Sequence, residues 1–291
     1  MLRLPPFELR QATTTEEAVA ILAGEGPTAR VVAGGTDLWP NMKRRHQQAQ
    51  TVISLMGISG LRGISNGSTD REVRLGATTL LSDLVADETL RRRYPALVRA
   101  VASISSPPLR NMGTIGGNVC LDTRCTYYNQ TEPWRQAIDY CMKEAGSVCW
   151  VAPSSPRCWA HAASDAAPML SALDARVVLQ GPEGERTIPM WSLYRDDGID
   201  YLTKKPEELV TAILLPPEGD HRHCGSAFWK LRRRGSIDFA VLSVAVAVWP
   251  GPGSGKPVDR ARIVLGAVGS QPVSADDAAA ALVGRSLSEE T

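Results

Sequence analysis

Two glycine-rich segments limit most strongly what this chain can fold into. The first, Gly34-Gly35-Thr36, directly follows the β-branched pair Val31-Val32, so we expect a strand that ends in a glycine turn. The second, 113–118, reads Gly-Thr-Ile-Gly-Gly-Asn. Glycine permits turns with positive φ that aim successive backbone N–H groups at an anion. Two such segments could hold a diphosphate from both sides, although either one alone is more typical of a tight turn.

Neither segment matches a common nucleotide-binding fingerprint. The chain contains no G-x-G-x-x-G, so a Rossmann dinucleotide site is not supported. Residues 251–256, Gly-Pro-Gly-Ser-Gly-Lys, resemble a P-loop but lack its first glycine and its Ser/Thr, because Pro250 and Pro257 stand there. We therefore predict a hairpin loop at 251–256.

Composition and charge exclude several classes of protein. Of the 291 residues, 43% are hydrophobic and 22% charged, which is typical of a folded globular protein. The net charge of +1 provides no basic excess for binding nucleic acid. The longest apolar stretch, 239–249, predicts a strand; its 11 residues are too few to span a membrane. The N-terminal segment lacks the apolar core of an export signal, so we expect a cytoplasmic protein.

Four cysteines at long spacings mark the segment between the second glycine segment and residue 164. They are separated by 15, 7 and 8 residues and are Cys125, Cys141, Cys149 and Cys158. Because no C-x-x-C pair occurs, the segment is neither a ferredoxin run nor an ordinary zinc ribbon. Clustered thiols among few regular elements favour ordering around a metal centre. Buried free thiols, or a zinc site that also uses His161, remain alternatives, since spacing does not separate zinc from iron–sulfur.

Three segments in order resemble the flavin subunit of molybdenum hydroxylases, the family of xanthine and carbon monoxide dehydrogenases. They are 33–38, 110–118 and Ser164-Asp165. The resemblance implies an α+β fold: a two-part FAD-binding domain of the PCMH type, then a smaller C-terminal α+β domain of the CO-dehydrogenase-flavoprotein type. With a Pro/Gly-rich linker at 216–220, the expected boundaries are 1–57 and 58–220 for the FAD-binding subdomains and 221–291 for the C-terminal domain.

The 45 residues between Asn118 and Ser164 add to the family pattern, in which these motifs lie close together. This insert, 119–163, resembles the one in the β subunit of 4-hydroxybenzoyl-CoA reductases, where it carries a [4Fe–4S] cluster. The resemblance implies that the cluster is ligated by Cys125, Cys141, Cys149 and Cys158. Cys120 is expected to be a packed thiol.

The resemblance also implies which residues hold FAD. The two glycine segments would bind its diphosphate and adenosine part, and the full expected set is Val32, Ala33, Gly34, Gly35, Thr36, Asp37, Asn111, Thr114, Gly116, Gly117, Asn118, Ser164, Asp165 and Lys230. Asp165 would accept hydrogen bonds from the ribityl hydroxyls. Lys230 would lie near the flavin ring, where a cation stabilises reduced flavin; the alternative is an exposed strand lysine.

Such a chain transfers electrons and does no substrate chemistry, so we assign no catalytic residue. The implied partners are a large molybdenum-cofactor subunit and a small [2Fe–2S] subunit in a dimer of heterotrimers, with a ferredoxin-like donor. The complex would remove the aromatic hydroxyl of 4-hydroxybenzoyl-CoA. The alternative is a hydroxylase that oxidises an aromatic or purine-like substrate and passes electrons to NAD or another acceptor. A non-redox nucleotide-binding module stabilised by zinc is the third hypothesis.

Overall fold

Three sheets follow one another along the chain in the computed structural model, which describes residues 2–65, 72–217, 224–251 and 257–287. In these ranges, each sheet takes its strands from one continuous part of the chain. Helices and sheets are segregated in this way in α+β proteins, as the resemblance implies.

The first sheet has three parallel strands in the order β1-β3-β2: β1 Glu8–Gln11, β2 Ala29–Val32 and β3 Thr51–Ser54. Helix α1, Thr15–Glu25, connects β1 to β2, and α2, Leu38–Lys43, lies between β2 and β3. Thr14 caps α1, because its side chain accepts a hydrogen bond from Glu17 N at 3.1 Å. Since β2 ends at Val32, the first glycine segment follows a strand as predicted.

The second sheet has five antiparallel strands in the order β4-β5-β8-β6-β7: β4 Ile64–Ser65, β5 Val73–Gly76, β6 Arg176–Gly181, β7 Gly184–Pro189 and β8 Leu209–Leu215. Seven helices stand between β5 and β6: α3 Leu81–Ala86, α4 Glu88–Arg93, α5 Pro95–Ala102, α6 Pro107–Arg110, α7 Ile115–Val119, α8 Glu132–Ala137 and α9 Ala166–Ala172. The insert belongs to this long connection. No helix in the described ranges is both long enough and apolar enough to cross a membrane.

The third sheet has four antiparallel strands in the order β12-β11-β10-β9: β9 Gly225–Leu231, β10 Leu242–Pro250, β11 Val258–Gly266 and β12 Val273–Ser274. Helix α10, Asp276–Leu282, follows. Phe228 and Ala245 of this sheet lie in the same buried cluster as Leu75 and Val177 of the second sheet. The second and third sheets therefore share one hydrophobic core.

Two sequence predictions about elements are wrong. The strand expected at 239–249 begins only at Leu242, because Phe239 lines the cavity described below instead of entering the sheet. Residues 115–119, expected to be loop, form helix α7, which Thr114 caps. Residues 252–256 of the predicted hairpin loop and 218–220 of the predicted linker lie outside the described residues.

Candidate functional site

A cavity of about 510 Å³ has walls from all three parts of the chain. This volume is typical of cofactor pockets. Its lining contains most residues that are expected to hold FAD: Val32, Ala33, Gly34, Gly35, Thr36, Asp37, Thr114, Gly116, Gly117, Asn118 and Asp165. Asn111 lies exposed just after α6 and outside this lining. Ser164 and Lys230 also lie outside it, but each binds a lining residue.

The first glycine segment touches the second backbone to backbone. A Cβ atom on Gly34 would lie 1.6 Å from the carbonyl oxygen of Met112, so a larger residue would displace one of the segments. Gly35 has φ +70°, and a Cβ there would lie 2.0 Å from the indole nitrogen of Trp39. Close packing therefore requires glycine at both positions, and the positive φ favours glycine at position 35 as well.

The first glycine segment also has unused hydrogen-bond donors. Within the described part of the chain, the backbone N–H groups of Gly34, Gly35 and Thr36 donate to no protein acceptor. All three residues line the cavity, directly after a strand. Free amides in a cradle that any Cβ would fill fit a bound diphosphate.

The two glycines of the second segment have no free amides. Gly116 N donates to Ala77 O at 2.8 Å, and Gly117 N donates to the Thr114 hydroxyl at 3.2 Å. The Gly117 donor is used because Thr114 caps helix α7, and the Gly116 donor is used because the segment packs against Ala77. Gly116 instead permits close approach of two backbones, since a Cβ on it would lie 2.7 Å from Ala77 Cβ. Gly116 and Gly117 therefore shape the cavity wall, and in the described residues only the Thr114 N–H of this segment is left for a ligand.

Asn118 and Ser164 join the second glycine segment to helix α9. Asn118 Oδ1 accepts hydrogen bonds from Ser164 Oγ at 2.8 Å and from Ala166 N at 3.4 Å. Ser164 Oγ in turn accepts one from Ala167 N at 3.1 Å, which satisfies a donor in the first turn of α9. Because Ser164 caps the helix, the carboxylate of Asp165 is left for other partners.

Asp165 and Lys230 form a buried ion pair at the cavity wall. Lys230 Nζ donates to Asp165 Oδ2 at 2.6 Å and to Ser103 O at 3.2 Å. The two side chains are only 7% and 4% exposed. The interpretation of Lys230 as an exposed strand lysine is therefore wrong. Lys230 acts on the cavity through Asp165.

Burial controls the protonation of the cavity carboxyls. It raises the pKa of Asp165 to about 6, while Lys230 opposes the rise by stabilising the carboxylate. Burial also raises the pKa of Asp37; Arg124 opposes this rise and Asp122 adds to it. Poorly solvated carboxylates of this kind are suited to accept hydrogen bonds from the hydroxyl groups of a ligand.

Arg124, in the insert, contacts the site although no sequence pattern indicated it. Its guanidinium group pairs with the Asp37 carboxylate and donates to Asn41 Oδ1 at 3.2 Å. The backbone of Arg124 also pairs with that of His161. Since Arg124 and Asp37 are 87 residues apart, only the tertiary structure shows that the insert contacts the first glycine segment.

The C-terminal part of the chain supplies a third side of the cavity, which sequence reasoning also missed. Ile237, Asp238 and Phe239 line it, together with Ser105 from the second part. Ile237 N donates to Ser105 O at 3.1 Å, and the two residues have φ of 51° and 49°. A β-branched residue rarely adopts a positive φ, so this segment is held in place by its tertiary contacts.

The four cysteines that are expected to ligate the cluster are free thiols. Cys141, Cys149 and Cys158 are buried and Cys125 is partly buried. Among the described residues, no three His, Cys, Asp or Glu side chains are grouped as ligands of a metal ion. A four-iron cluster spaces its thiolates more widely than a single ion does, because each sulfur binds a different iron.

The thiols affect one another's protonation in pairs. The pKa of Cys158 is raised to about 11, mainly by burial and with smaller contributions from Cys149 and Cys125. Burial also raises the pKa of Cys141, with a further contribution from Cys125. Such effects fall off with distance. The backbone N–H groups of the segment 159–160 add hydrogen bonds of 3.4 Å to the sulfur atoms of Cys149 and Cys158.

The insert packs against helix α2 and the residues just after it, which follow the first glycine segment. Tyr128 OH donates to His46 O at 2.6 Å, and the Arg135 guanidinium donates to Arg44 O at 3.2 Å. The rings of His46 and Tyr128 are also in contact, with centroids 4.8 Å apart and planes tilted by 36°. The thiol region and the cavity are therefore built on the same short stretch of chain.

Two families match the two parts of the chain. Residues 5–218 match the FAD binding domain in molybdopterin dehydrogenase. Residues 226–291 match the CO dehydrogenase flavoprotein C-terminal domain. The cavity described above is lined largely by the first of these regions.

Individual relatives show the same relationship. The FAD-binding subunit of an aldehyde oxidoreductase of Escherichia coli is 33% identical over 282 residues, or 91% of this chain and 82% of that protein. The carbon monoxide dehydrogenase medium chain of Hydrogenophaga pseudoflava is 29% identical over 288 residues, covering 98% and 83%. The solved structure of carbon monoxide dehydrogenase from that organism, lacking the Mo-pyranopterin moiety of its cofactor, matches with TM-score 0.77 and 28% identity over 99% of this chain and 84% of the other.

These matches confirm the expected fold, a FAD-binding domain of the PCMH type followed by a CO-dehydrogenase-flavoprotein C-terminal domain. They also agree with the cavity, whose free amides and close-packed glycines fit FAD. The chain therefore belongs to the FAD-binding medium subunits of the molybdenum hydroxylase family and is a flavin-binding subunit of an oxidoreductase.

Proposed function

We propose that this chain carries a [4Fe–4S] cluster as well as FAD and conducts electrons between them. The observation that carries the proposal is the position of the insert. It carries four spaced free thiols, three of them buried, and it pairs through Arg124 with Asp37, which directly follows the first glycine segment. One connected structure would then hold both groups in fixed relation, which is the protein's main task in cofactor chemistry.

For FAD, we assign the diphosphate to the free amides of Gly34, Gly35 and Thr36. Asp165 would bind the ribityl hydroxyls, and Lys230 would hold the Asp165 carboxylate in place through its 2.6 Å hydrogen bond. The other expected residues that line the cavity would form the walls of the site, with Ser164 holding Asn118 in place, and Asn111 would contact FAD from outside this lining. When bound, FAD supplies a ring that takes up and releases electrons.

For the cluster, we assign Cys125, Cys141, Cys149 and Cys158 as ligands. Burial of three of these thiols and the N–H donors at the Cys149 and Cys158 sulfurs support this assignment, since both features tune iron–sulfur sites. We place the protein in the cytoplasm, where thiols stay reduced, because all six cysteines are free.

We propose that the chain works with a large molybdenum-cofactor subunit and a small [2Fe–2S] subunit, in a dimer of heterotrimers, and with a ferredoxin-like donor. The relative from Hydrogenophaga pseudoflava is itself named a medium chain, which supports a multi-subunit assembly. We keep the division 1–57, 58–220 and 221–291, because the strands of each sheet fall within one of these ranges.

We further propose that the partner reaction removes the aromatic hydroxyl of 4-hydroxybenzoyl-CoA. The support is the insert, which resembles that of reductases of this kind. Such a reduction needs low-potential electrons, and iron–sulfur clusters reach about −700 mV.

Substitution of one proposed ligand tests the cluster. We expect Cys141→Ser to lose most of its iron and the brown iron–sulfur absorbance while FAD stays bound, because Cys141 does not line the cavity. Cys224→Ser, which removes a thiol outside the insert, should keep both groups. Unchanged iron in the Cys141 variant, or no iron in the purified wild type, would refute the cluster.

A second function is favoured by the relatives, several of which are named dehydrogenases of xanthine or nicotinate. In that case the complex would oxidise an aromatic or purine-like substrate and pass electrons to NAD or another acceptor. Two anaerobic assays of the purified complex decide between the functions. Reduction of 4-hydroxybenzoyl-CoA by a strong reductant supports the first, and oxidation of a heterocycle with NAD supports the second.

A further inference from the structure

Lys143 is a buried cation whose hydrogen bonds are all made inside the protein. Its side chain is 6% exposed, and its Nζ donates to Asp122 Oδ1 at 2.8 Å, Thr123 Oγ1 at 2.8 Å and Gly198 O at 2.6 Å. Asp122, at 9%, is buried with it. A buried ion pair is costly to desolvate and does not by itself indicate a stabilising role. Stability therefore does not explain why the Asp122–Lys143 pair lies at this position.

The lysine end of this pair faces the thiol region. Lys143 is two residues from Cys141 along the chain. Gly198, which accepts from Lys143, also donates its N–H to Cys158 O at 2.9 Å. A Cβ atom on Gly198 would lie 2.7 Å from Cys158 Sγ, so the two residues are in contact. Gly198 therefore contacts both Lys143 and Cys158.

The aspartate end faces the flavin cavity. Asp122 lines that cavity and also accepts a hydrogen bond of 3.2 Å from Gln47. Its charge reaches two other lining residues. Burial raises the pKa of Asp37 and of Tyr201, and Asp122 adds to both rises.

We propose that Asp122 and Lys143 form an oriented charge pair that sets the potentials of the two redox groups in opposite directions. The positive end stabilises an added electron on the thiol-bound cluster and raises its reduction potential. The negative end disfavours an added electron on the flavin and lowers its potential. Burial preserves these effects, because little water is present to screen the charges. The inference rests on the proposed function, since it requires both groups on this chain.

The test is the double variant Asp122→Asn/Lys143→Gln, which removes both charges and keeps side chains that can hydrogen-bond. Redox titration of the purified chain would follow the cluster by electron paramagnetic resonance and the flavin by visible absorbance. We expect the cluster potential to fall and the flavin potential to rise relative to wild type. Glu72→Gln/Arg176→Gln removes an ion pair with side chains 34% and 47% exposed, and should leave both potentials unchanged.

Shifts of the same sign at both groups, or no shift at either, would overturn the charge-pair inference, because loosened packing has no reason to act with opposite signs. If the double variant does not retain both FAD and the cluster, the single variant Asp122→Asn is titrated instead. We then expect the flavin potential to rise by more than the cluster potential. Equal rises, or a larger rise at the cluster, would contradict the charge-pair inference. Wild-type protein without iron would refute the cluster itself, whereas wild type with both groups and an insensitive double variant would refute only the pair.

Discussion

Asp165 lines the cavity, and its charged form is at the same time disfavoured in the folded protein. It is buried at the cavity wall, and its partner Lys230 comes from strand β9, 65 residues further along the chain. Burial outweighs the attraction of Lys230, so the pKa rises to about 6. The folded protein therefore binds a proton at Asp165 more tightly than the unfolded chain does.

The direction of this pKa shift predicts how the stability of the protein changes with pH. Between about pH 4 and pH 6 the folded state holds more protons at Asp165, so this group's contribution to the free energy of unfolding falls as pH rises. We expect Asp165→Asn to remove the fall, so that the stability of the wild type relative to this variant declines from pH 4 to pH 6 and is constant above. Urea denaturation at several pH values measures it.

Glu183→Gln is the matched control, since it removes one carboxylate that is 88% exposed. Its stability relative to the wild type should show no comparable decline over the same pH range. A pH-independent difference between wild type and Asp165→Asn would mean that burial does not control this group.

At the scale of elements, the site depends on the close contact between the two glycine segments. Gly34 is the contact point, because a Cβ on it would lie 1.6 Å from Met112 O and 3.1 Å from Gly113 N. The first segment keeps its N–H groups unpaired among the described residues, whereas Gly116 and Gly117 of the second donate to Ala77 O and to the Thr114 hydroxyl. The same sequence character, glycine with small polar residues, therefore has two different roles.

We expect Gly34→Ala to lower the free energy of unfolding by about 3 kcal/mol, because its methyl group would overlap backbone atoms that cannot rotate away. The variant should also purify with less FAD, since the displaced segment is the one with free amides. Gly24→Ala is the control: nothing lies within 4 Å of a Cβ at this position of α1. It should raise stability by about 0.5–1 kcal/mol, as expected for alanine in a helix. Equal stability and FAD content in the two variants would contradict the close contact at Gly34.

At the scale of the whole molecule, the C-terminal sheet is part of the main core. Phe228 is 2% exposed and packs in the cluster that contains strands of the second sheet, while its neighbour Trp229 is 53% exposed on the other face of β9. Alternate residues of a strand point to opposite faces, so β9 covers the core with one face only. The C-terminal region therefore should not unfold separately from the second sheet.

We expect Phe228→Ala to destabilise the protein by about 3–5 kcal/mol, with far-UV and near-UV circular dichroism changing together in denaturant. Trp229→Ala, one residue away, should change stability by no more than about 0.5 kcal/mol. An early separate transition in the Phe228 variant would instead show that the C-terminal sheet is an independent unit.

The sequence by itself determined the family, the first glycine segment of the cavity and the start of α1. Each depends on residues close together in the chain, whose backbone preferences and spacing can be read directly. Only the tertiary structure decided that Lys230 is buried against Asp165, that Arg124 joins the insert to Asp37, and that the amides of Gly116 and Gly117 are already used. The reason is physical: hydrogen bonds and burial depend on which distant segments meet, and the local sequence does not specify those partners.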